Sequence, residues 1–305
     1  MNTTLKNKLR QALNNGKGSD HLSYTQLFKT LSDWNTDYLA RDETQRRSDK
    51  KKYKLHFGSA VGNIAQKLRS QYLFHKGKKI TIKEKNRSKI SEEEYKINLF
   101  YNPFDEKDKF IRSMLVESVQ QQVDQTLKAI KEIFGSTPLM SERYTYTSPH
   151  DLFADILGRI DWESKEAIAE QKTKPNNVKF YKATKNKEER FSFSKQALPE
   201  EPNIKNVEQL SFYWKSTNKK PFLFYVNDEG YKIFDDSHEM LRPDHLEYCY
   251  QKLLNKAFTI QRLLILSEGD PVEFAKYCEP PDLTHWSYAD VSNDKLETIK
   301  KLWRI

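Results

Sequence analysis

The sequence has 305 residues, enough to bury one large hydrophobic core or two small ones. Its 52 Lys and Arg residues outnumber its 43 Asp and Glu residues, and the formal net charge of +9 favours a polyanionic partner such as nucleic acid or an anionic membrane. Many small proteins are mildly basic without binding a polyanion, so the charge alone is weak support. The two cysteines, Cys249 and Cys278, are too few for a disulfide framework, a four-thiolate zinc site or an iron–sulfur cluster.

Membrane and secretion signals are not found in the sequence. No apolar run approaches the ~20 residues that span a bilayer, and residues 1–18 lack the apolar core of a secretion signal. The sequence therefore predicts a protein without a membrane partner that works in the cytoplasm, a reducing compartment.

The first 135 residues are predicted to be mainly helical. Apolar residues recur at helical spacing in four segments, which are 3–14, 23–39, 58–74 and 105–134, and Gly135 is typical of a helix end. Residues 41–54 form a charged connector, either a solvated loop or an arm that contacts phosphates. Residues 79–101 alternate loosely and predict a peripheral hairpin.

Beyond residue 135 the apolar pattern changes to a period of two, which is typical of strands. The predicted elements in chain order are strands 139–147, 152–162 and 167–173, a polar excursion at 174–205, a helix at 207–217, strands 222–226 and 231–234, a helix at 238–267, and short helices near 271–277 and 294–303. This order predicts an α/β fold with a central mixed sheet flanked by helices. The simplest division packs a helical N-terminal part with its hairpin, residues 1–135, on a core with C-terminal helices, residues 136–305.

The strands 152–162 and 167–173 carry the most informative polar residues. Asp161 lies near the end of the first strand, and Glu170 and Lys172 project from one face of the second because they are two residues apart. A hairpin would bring the three together, and two carboxylates with one ammonium suit Mg²⁺-dependent phosphodiester hydrolysis. The same residues are also compatible with a surface hairpin that carries ordinary salt bridges.

The next predicted helix carries an amide and a phenol four residues apart. Gln209 and Tyr213 share a helix face, so both can point at one target. They could hydrogen-bond a phosphate or orient a catalytic side chain. A helix with a half-buried Tyr213 and a solvated Gln209 is the alternative.

Three motifs occur in order: Gly158-x-x-Asp161, Glu170-x-Lys172-Thr173, and Gln209-x-x-x-Tyr213. Together they resemble the PD-(D/E)xK nuclease superfamily, in its RecB-like and lambda-exonuclease-like branch, which includes mitochondrial genome maintenance exonucleases and related phage exonucleases. The resemblance covers residues 139–235 and extends more weakly to the helix start at 22–28. It implies a restriction-endonuclease-like fold.

The resemblance also implies roles for individual residues. Asp161 and Glu170 would be metal ligands, and the main-chain carbonyl of Gln171 would complete the inner shell. Lys172 would position the attacking water and stabilise charge at phosphorus. Glu142, on the preceding strand, would match an upstream acidic residue of the family. The implied cofactor is Mg²⁺, with Mn²⁺ as a substitute.

Gln209, Tyr213 and Thr173 would bind the nucleic-acid backbone beside the site. One departure from the family concerns the metal: the branch often carries Gly-x-x-x-His in an early helix, with the His as a ligand, whereas this chain has Gly58-x-x-x-Gly62. The number of metal ions therefore stays open. His56 is not a positional match, and His150 is expected in a solvated loop.

The implied function is a metal-dependent exonuclease that acts on DNA ends in replication, recombination or degradation, in the cytoplasm or, if phage-encoded, in the host cytoplasm. A structure-specific or restriction-like endonuclease would use the same metal site. A non-catalytic nucleic-acid-binding module and a purely structural interaction protein are alternatives from other classes. The oligomeric state stays open.

Overall fold

The computed structural model describes residues 3–15, 22–39, 53–75, 78–81, 106–181, 190–285, 288 and 291–304. The chain forms two compact units, and each is assembled from separated stretches of sequence. Unit 1 comprises Met1–Asp49, Thr145–Gly158 and Glu247–Ile305, and unit 2 comprises Lys50–Tyr144 and Arg159–Leu246. The structure therefore does not divide at residue 135, because segments from both sides of that position contribute to each unit.

Helices and strands come in runs along the chain, with five consecutive strands between Met140 and Ser194. The helices are α1 (Thr3–Asn15), α2 (Tyr24–Leu27), α3 (Leu31–Trp34), α4 (Tyr53–Arg69), α5 (Glu106–Ser113), α6 (Val116–Phe134), α7 (Ile204–Thr217), α8 (Pro243–Leu266), α9 (Pro271–Ala275) and α10 (Asn293–Trp303). The strands are β1 (Leu22–Ser23), β2 (Tyr72–His75), β3 (Lys78–Thr81), β4 (Met140–Thr147), β5 (Ile156–Glu163), β6 (Ala167–Thr173), β7 (Asn177–Tyr181), β8 (Arg190–Ser194), β9 (Lys220–Val226) and β10 (Tyr231–Phe234). Of these, β7 and β8 form a two-stranded sheet of their own.

A mixed sheet organises unit 2, with its strands in the order β10-β9-β6-β5-β4-β2-β3. Pairs β6–β9 and β2–β4 are parallel, whereas β5–β6, β9–β10 and β2–β3 are antiparallel. The prediction of an α/β protein with a mixed sheet and flanking helices is thus confirmed at this level.

The core of unit 2 lies where α4 and α6 pack against this sheet. Helix α6 buries Val119, Val123 and Ile130, which recur at intervals of four and seven residues on one helix face. Helix α4 contributes a similar face, and Trp162 of β5 and Phe224 of β9 join the same buried cluster. A buried core therefore lies behind the strands that carry the candidate site residues.

In unit 1 the N-terminal segment contacts the C-terminal helices. Leu22 pairs in parallel with Ile156 at the start of β5. The ring centroids of Trp34 and Phe274 lie 5.6 Å apart, and the indole N–H of Trp303 donates to the hydroxyl of Thr36 at 3.0 Å. Residues far apart in sequence thus form one hydrophobic unit.

The prediction of one helix over 23–39 is wrong. A short strand precedes α2, and Thr30 begins α3 by accepting a hydrogen bond from the amide of Asp33 at 3.1 Å. Ser23, the residue before α2, makes no capping hydrogen bond, and its hydroxyl contacts that of Thr25. Local side-chain hydrogen bonds of this kind compete with helix continuation.

Other predicted elements need correction. The helix predicted at 58–74 begins at Tyr53 and ends at Arg69, because the following residues enter the sheet as β2 beside β4. The helix predicted at 105–134 is interrupted between α5 and α6, although it ends at Gly135 as expected. The excursion at 174–205 contains the β7–β8 hairpin.

Two predictions fall largely outside the described residues. For the connector 41–54 only Tyr53 and Lys54 are described, and for the hairpin 79–101 only residues 79–81 are described. Among the helices that the structure describes, none is long and apolar enough to cross a membrane.

Candidate functional site

The β5–β6 hairpin places Asp161 beside Glu170. The strands are antiparallel, and their pairing ends with Trp162 opposite Ala169, the residues next to Asp161 and Glu170. The Oδ2 atom of Asp161 accepts a hydrogen bond from the main-chain amide of Gln171 at 3.0 Å. Asp161 and Glu170 line the same cleft, and the charge of Glu170 acts on Asp161, so the two carboxylates lie close together.

Glu170 is a buried carboxylate with unused hydrogen-bonding capacity. Its side chain is 3% exposed, and Oε1 accepts from Nζ of Lys172 and from Nε2 of Gln209, each at 2.6 Å. Its Oε2 is buried and has no hydrogen-bond partner. Buried polar atoms are nearly always satisfied, so an orphaned carboxylate oxygen calls for a ligand, a cation or a water.

A chain of hydrogen bonds fixes the ammonium group of Lys172. Lys172 donates to Oε1 of Gln209 at 2.8 Å, Nε2 of Gln209 donates to the hydroxyl of Tyr213 at 3.1 Å, and that hydroxyl donates to the carbonyl of Arg159 at 2.7 Å. Gln209 and Tyr213 are 7% and 1% exposed. The alternative with a solvated Gln209 is thus wrong, and both side chains point into the site.

Burial of Tyr213 bears on its expected role. A side chain that is 1% exposed and holds a main-chain carbonyl of β5 is placed to position its neighbours. Direct contact with a nucleic-acid backbone does not fit this location. Gln209 is placed in the same way, because its amide group is shared among Lys172, Glu170 and Tyr213.

The electrostatic environment disfavours a negative charge on Asp161 beside Glu170. Burial, and next the negative charge of Glu170, raise the pKa of Asp161 to about 8, while Lys172 and the amide of Gln171 act in the opposite direction. Asp161 and Glu170 could hold a divalent cation, whose positive charge would offset this repulsion.

Glu142 lies in the same cleft, with its backbone in the left-handed region at φ 59°. Its Oε1 accepts from Nε2 of Gln66 at 2.9 Å, and its Oε2 pairs with Nε of Arg159 at 2.7 Å. Burial and the charge of Asp161 raise the pKa of Glu142. Both carboxylate oxygens thus have protein partners, so Glu142 is less available as a ligand than Asp161 and Glu170.

The carboxylates open into a cleft of about 330 Å³. Its lining comes from α4, β4, β5 and β6, and comprises Lys54, Gly58, Ser59, Gly62, Asn63, Gln66, Glu142, Arg159, Asp161, Glu170, Gln171, Lys172 and Thr173. A Cβ atom at Gly62 would have no neighbour within 4 Å, whereas one at Gly58 would lie 3.1 Å from Oγ1 of Thr173. The helix therefore leaves open space above the acidic pair.

The oxygen atoms at this site suit a metal ion that binds few protein side chains. Among the described residues, no group of three or more His, Cys, Asp and Glu side chains could hold a metal ion. Mg²⁺ usually binds through one or two carboxylates and keeps several waters, so Asp161, Glu170 and a main-chain carbonyl are a sufficient protein contribution. His150, 95% exposed in its side chain, is in unit 1 and takes no part.

Sequence reasoning missed several residues that support the site. Gln66 follows Gly62 by four residues on α4, a spacing that could have indicated it. Arg159 and Thr126 carried no local signal. The indole N–H of Trp162 donates to Oε1 of Gln171, whose Nε2 donates to Oγ1 of Thr126, both at 3.0 Å. This contact ties the hairpin to α6.

Comparisons with known proteins identify no family. No family model matches the chain, and no curated protein matches it. A solved structure titled "Crystal structure of SSO0001" matches over 51% of this chain and 67% of its own, with 15% sequence identity and a TM-score of 0.28. A likeness at this level carries no argument about fold or function.

Proposed function

We propose that the protein is a metal-dependent deoxyribonuclease with a restriction-endonuclease-like core, and that it degrades DNA from its ends during replication, recombination or degradation. The observation that carries the proposal is the orphaned, buried Oε2 of Glu170 beside Asp161, with Lys172 fixed at the same cleft. A surface hairpin with ordinary salt bridges would not bury an unpaired carboxylate oxygen.

Asp161, Glu170 and the main-chain carbonyl of Gln171 would hold Mg²⁺ or Mn²⁺ at this cleft. When bound, the ion would supply a water of lowered pKa and stabilise charge on the phosphate and leaving oxygen. The protein supplies the placement: the amide of Gln171 orients Asp161, and Gln209 orients Glu170.

Lys172 would neutralise charge that develops on the phosphate oxygens and hold the attacking water. Its ammonium is preorganised by Glu170 and Gln209, so it need not reorganise during reaction. Gln209 and Tyr213 act as positioning residues through this contact. The preference for DNA ends over internal sites comes from the family resemblance, with which these contacts are compatible.

The test is degradation of end-labelled linear DNA and closed circular DNA in Mg²⁺. We expect linear DNA to be degraded and circles to survive, and we expect Lys172→Ala to slow the reaction by about 100-fold or more, as for loss of a preorganised electrostatic group. Lys165→Ala is the matched control, since Lys165 lies on the turn of the same hairpin and its side chain is 91% exposed.

Metal binding gives a second readout that does not depend on activity. Glu170→Gln keeps the shape of the side chain but removes its charge, so Mn²⁺ binding measured by calorimetry should be lost, while Glu166→Gln on the exposed turn should bind normally. Equal cutting of circles would replace the exonuclease by a restriction-like endonuclease. Binding of DNA without any cleavage would identify a non-catalytic module.

A further inference from the structure

The β7–β8 hairpin follows directly after the strand that carries Glu170 and Lys172. Its antiparallel register pairs Asn177 with Ser194, Lys179 with Ser192, and Tyr181 with Arg190. Paired residues share a face, so these six residues form one side of the hairpin, here called the outer face.

The opposite side of the hairpin is apolar, and it has partners except at Phe193, which is 38% exposed. Phe180 contacts Phe191 with ring centroids 5.0 Å apart, and Phe191 contacts Phe110 of α5 at 4.8 Å. Val178 and Phe191 also pack against the core of unit 2. The hairpin is thus anchored through one side, which leaves the outer face for another role.

The outer face is basic and carries an exposed aromatic ring. Tyr181 is 43% exposed, and the guanidinium carbon of Arg190 lies 5.1 Å from the centre of its ring. Lys179 is exposed as well. No acidic residue occurs in the described strands of this hairpin, Asn177–Tyr181 and Arg190–Ser194. This combination complements a phosphate chain with accessible bases.

Lys54 connects this face with the cleft. It lines the cleft that contains Asp161 and Glu170, and its Nζ donates to Oδ1 of Asn177 at 2.8 Å. From Asn177 the outer face continues to Lys179 and Tyr181, in steps of two residues or about 6.8 Å. A row of polar, cationic and aromatic groups therefore leads away from the acidic pair.

We propose that the outer face of the β7–β8 hairpin binds a single strand of DNA whose end lies in the cleft. Lys54 and Lys179 would contact phosphates, and Tyr181 would stack on a base beside the guanidinium of Arg190. Stacking requires an unpaired base with a free face, which is why the face suits a single strand better than a duplex. The proposal rests on the proposed function for the identity of the polymer.

The test is fluorescence anisotropy with a labelled oligo-dT of about 15 nucleotides, in EDTA so that no cleavage occurs. Tyr181→Ala should weaken binding about tenfold, and Tyr181→Trp should retain it, because a base–aromatic stack is lost in one and kept in the other. Lys179→Ala should reduce the slope of log affinity against log salt by roughly 0.7, the value for one phosphate contact on a single strand.

A matched pair of variants controls for general effects of charge and surface aromatics. Tyr248 is 62% exposed and has Nζ of Lys252 at 5.9 Å from its ring centre, so Tyr248→Ala and Lys252→Ala remove similar groups from α8. These two should bind the oligonucleotide as the wild type does. Circular dichroism would verify that all variants keep the wild-type unfolding midpoint.

Several results would overturn the proposal. For the variants, these are unchanged oligo-dT affinity in Tyr181→Ala and Lys179→Ala, or an equal loss of affinity in the control variants Tyr248→Ala and Lys252→Ala. For the wild type, they are no binding of oligo-dT at low salt, or tighter binding of oligo-U than of oligo-dT. An equal loss of affinity of Tyr181→Ala for blunt duplex DNA would also contradict the preference for a single strand. The assay is independent of hydrolysis. If Tyr181→Ala weakens binding but the wild type cuts no DNA, only the proposed function is refuted. If the wild type cuts DNA and Tyr181→Ala binds it normally, only the proposed role of the outer face is refuted.

Discussion

Asp161 shows how burial of a charge beside a like charge makes a single residue depend on pH. Its pKa in the folded protein is about 8, against an ordinary value of 3.8, because of burial and the charge of Glu170. Between about pH 4 and 8 the unfolded chain has lost a proton that the folded, metal-free protein keeps. Since the unfolded state then binds fewer protons, stability falls as pH rises through this window.

We therefore expect that Asp161→Asn, measured in EDTA to keep the protein metal-free, no longer loses stability as the pH rises. The free energy of unfolding at pH 8 should rise by on the order of a few kcal/mol, with little change near pH 4, where Asp161 of the folded protein is already neutral. Urea denaturation at the two pH values measures this. Asp124→Asn, on the exposed side of α6, should keep the wild-type pH profile, and identical profiles for both variants would contradict the prediction.

Gly62 stands where the nuclease branch that the sequence resembles often has a His, and a Cβ atom at Gly62 would have no neighbour within 4 Å. We expect Gly62→Ala to stabilise the protein by up to about 1 kcal/mol, because alanine has a higher helix propensity than glycine in a helix interior. Gly58→Ala should gain less, since its Cβ would lie 3.1 Å from Oγ1 of Thr173. Urea denaturation of both variants compares the two sites, and a larger gain at Gly58 would contradict the geometry.

The same open space permits a test of the nitrogen ligand that the family resemblance would place at this position. Gly62→His would place an imidazole in the cleft that holds Asp161 and Glu170, and Mn²⁺ affinity measured by calorimetry should rise about tenfold or more. Lys128→His, on the exposed side of α6, should leave the affinity unchanged. Weaker binding by Gly62→His would show that the cleft does not accept a third ligand from α4.

At the scale of elements, the β5–β6 hairpin depends on its attachment to α6. The side chain of Gln171 points away from the acidic pair and joins Trp162 to Thr126. We expect Gln171→Met to destabilise the protein by about 1–3 kcal/mol, because it leaves the buried indole N–H without an acceptor. Gln251→Met on α8, whose amide is exposed, is the control, and equal unfolding midpoints for the two variants would contradict the expectation.

Element boundaries show where local pattern is informative. The β9–β10 strand pair and helix α7 lie close to their predicted bounds, because turn residues and capping residues mark their ends locally. The N-terminal helices were less predictable. The hydroxyl of Thr30 starts a new helix, and Tyr72 leaves the helical pattern to pair with Met140 in the sheet. Both depend on contacts that apolar spacing does not encode.

At the scale of the whole molecule, the core of unit 2 combines residues from both sides of position 135. Phe57, Val61 and Val123 lie in one buried cluster with Trp162 and Phe224. We expect a fragment of residues 136–305 to lack cooperative unfolding and dispersed amide resonances, because its sheet would lose the helices α4 and α6. Circular dichroism and two-dimensional NMR measure this, with the full chain as control. A folded fragment would support the predicted domain boundary at residue 135.

Local pattern was enough to predict which residue types would meet on the hairpin. A period of two puts Glu170 and Lys172 on one face, and a short turn brings Asp161 back beside them, so their convergence follows from strand geometry alone. Packing between segments distant in sequence determined the burial and the hydrogen-bond partners of these side chains. Gln66 and Arg159 engage Glu142, the helix α7 buries Gln209 and Tyr213, and one oxygen of Glu170 is buried without a protein partner. Burial and long-range hydrogen bonds depend on which surfaces meet in three dimensions, and a one-dimensional pattern does not specify that.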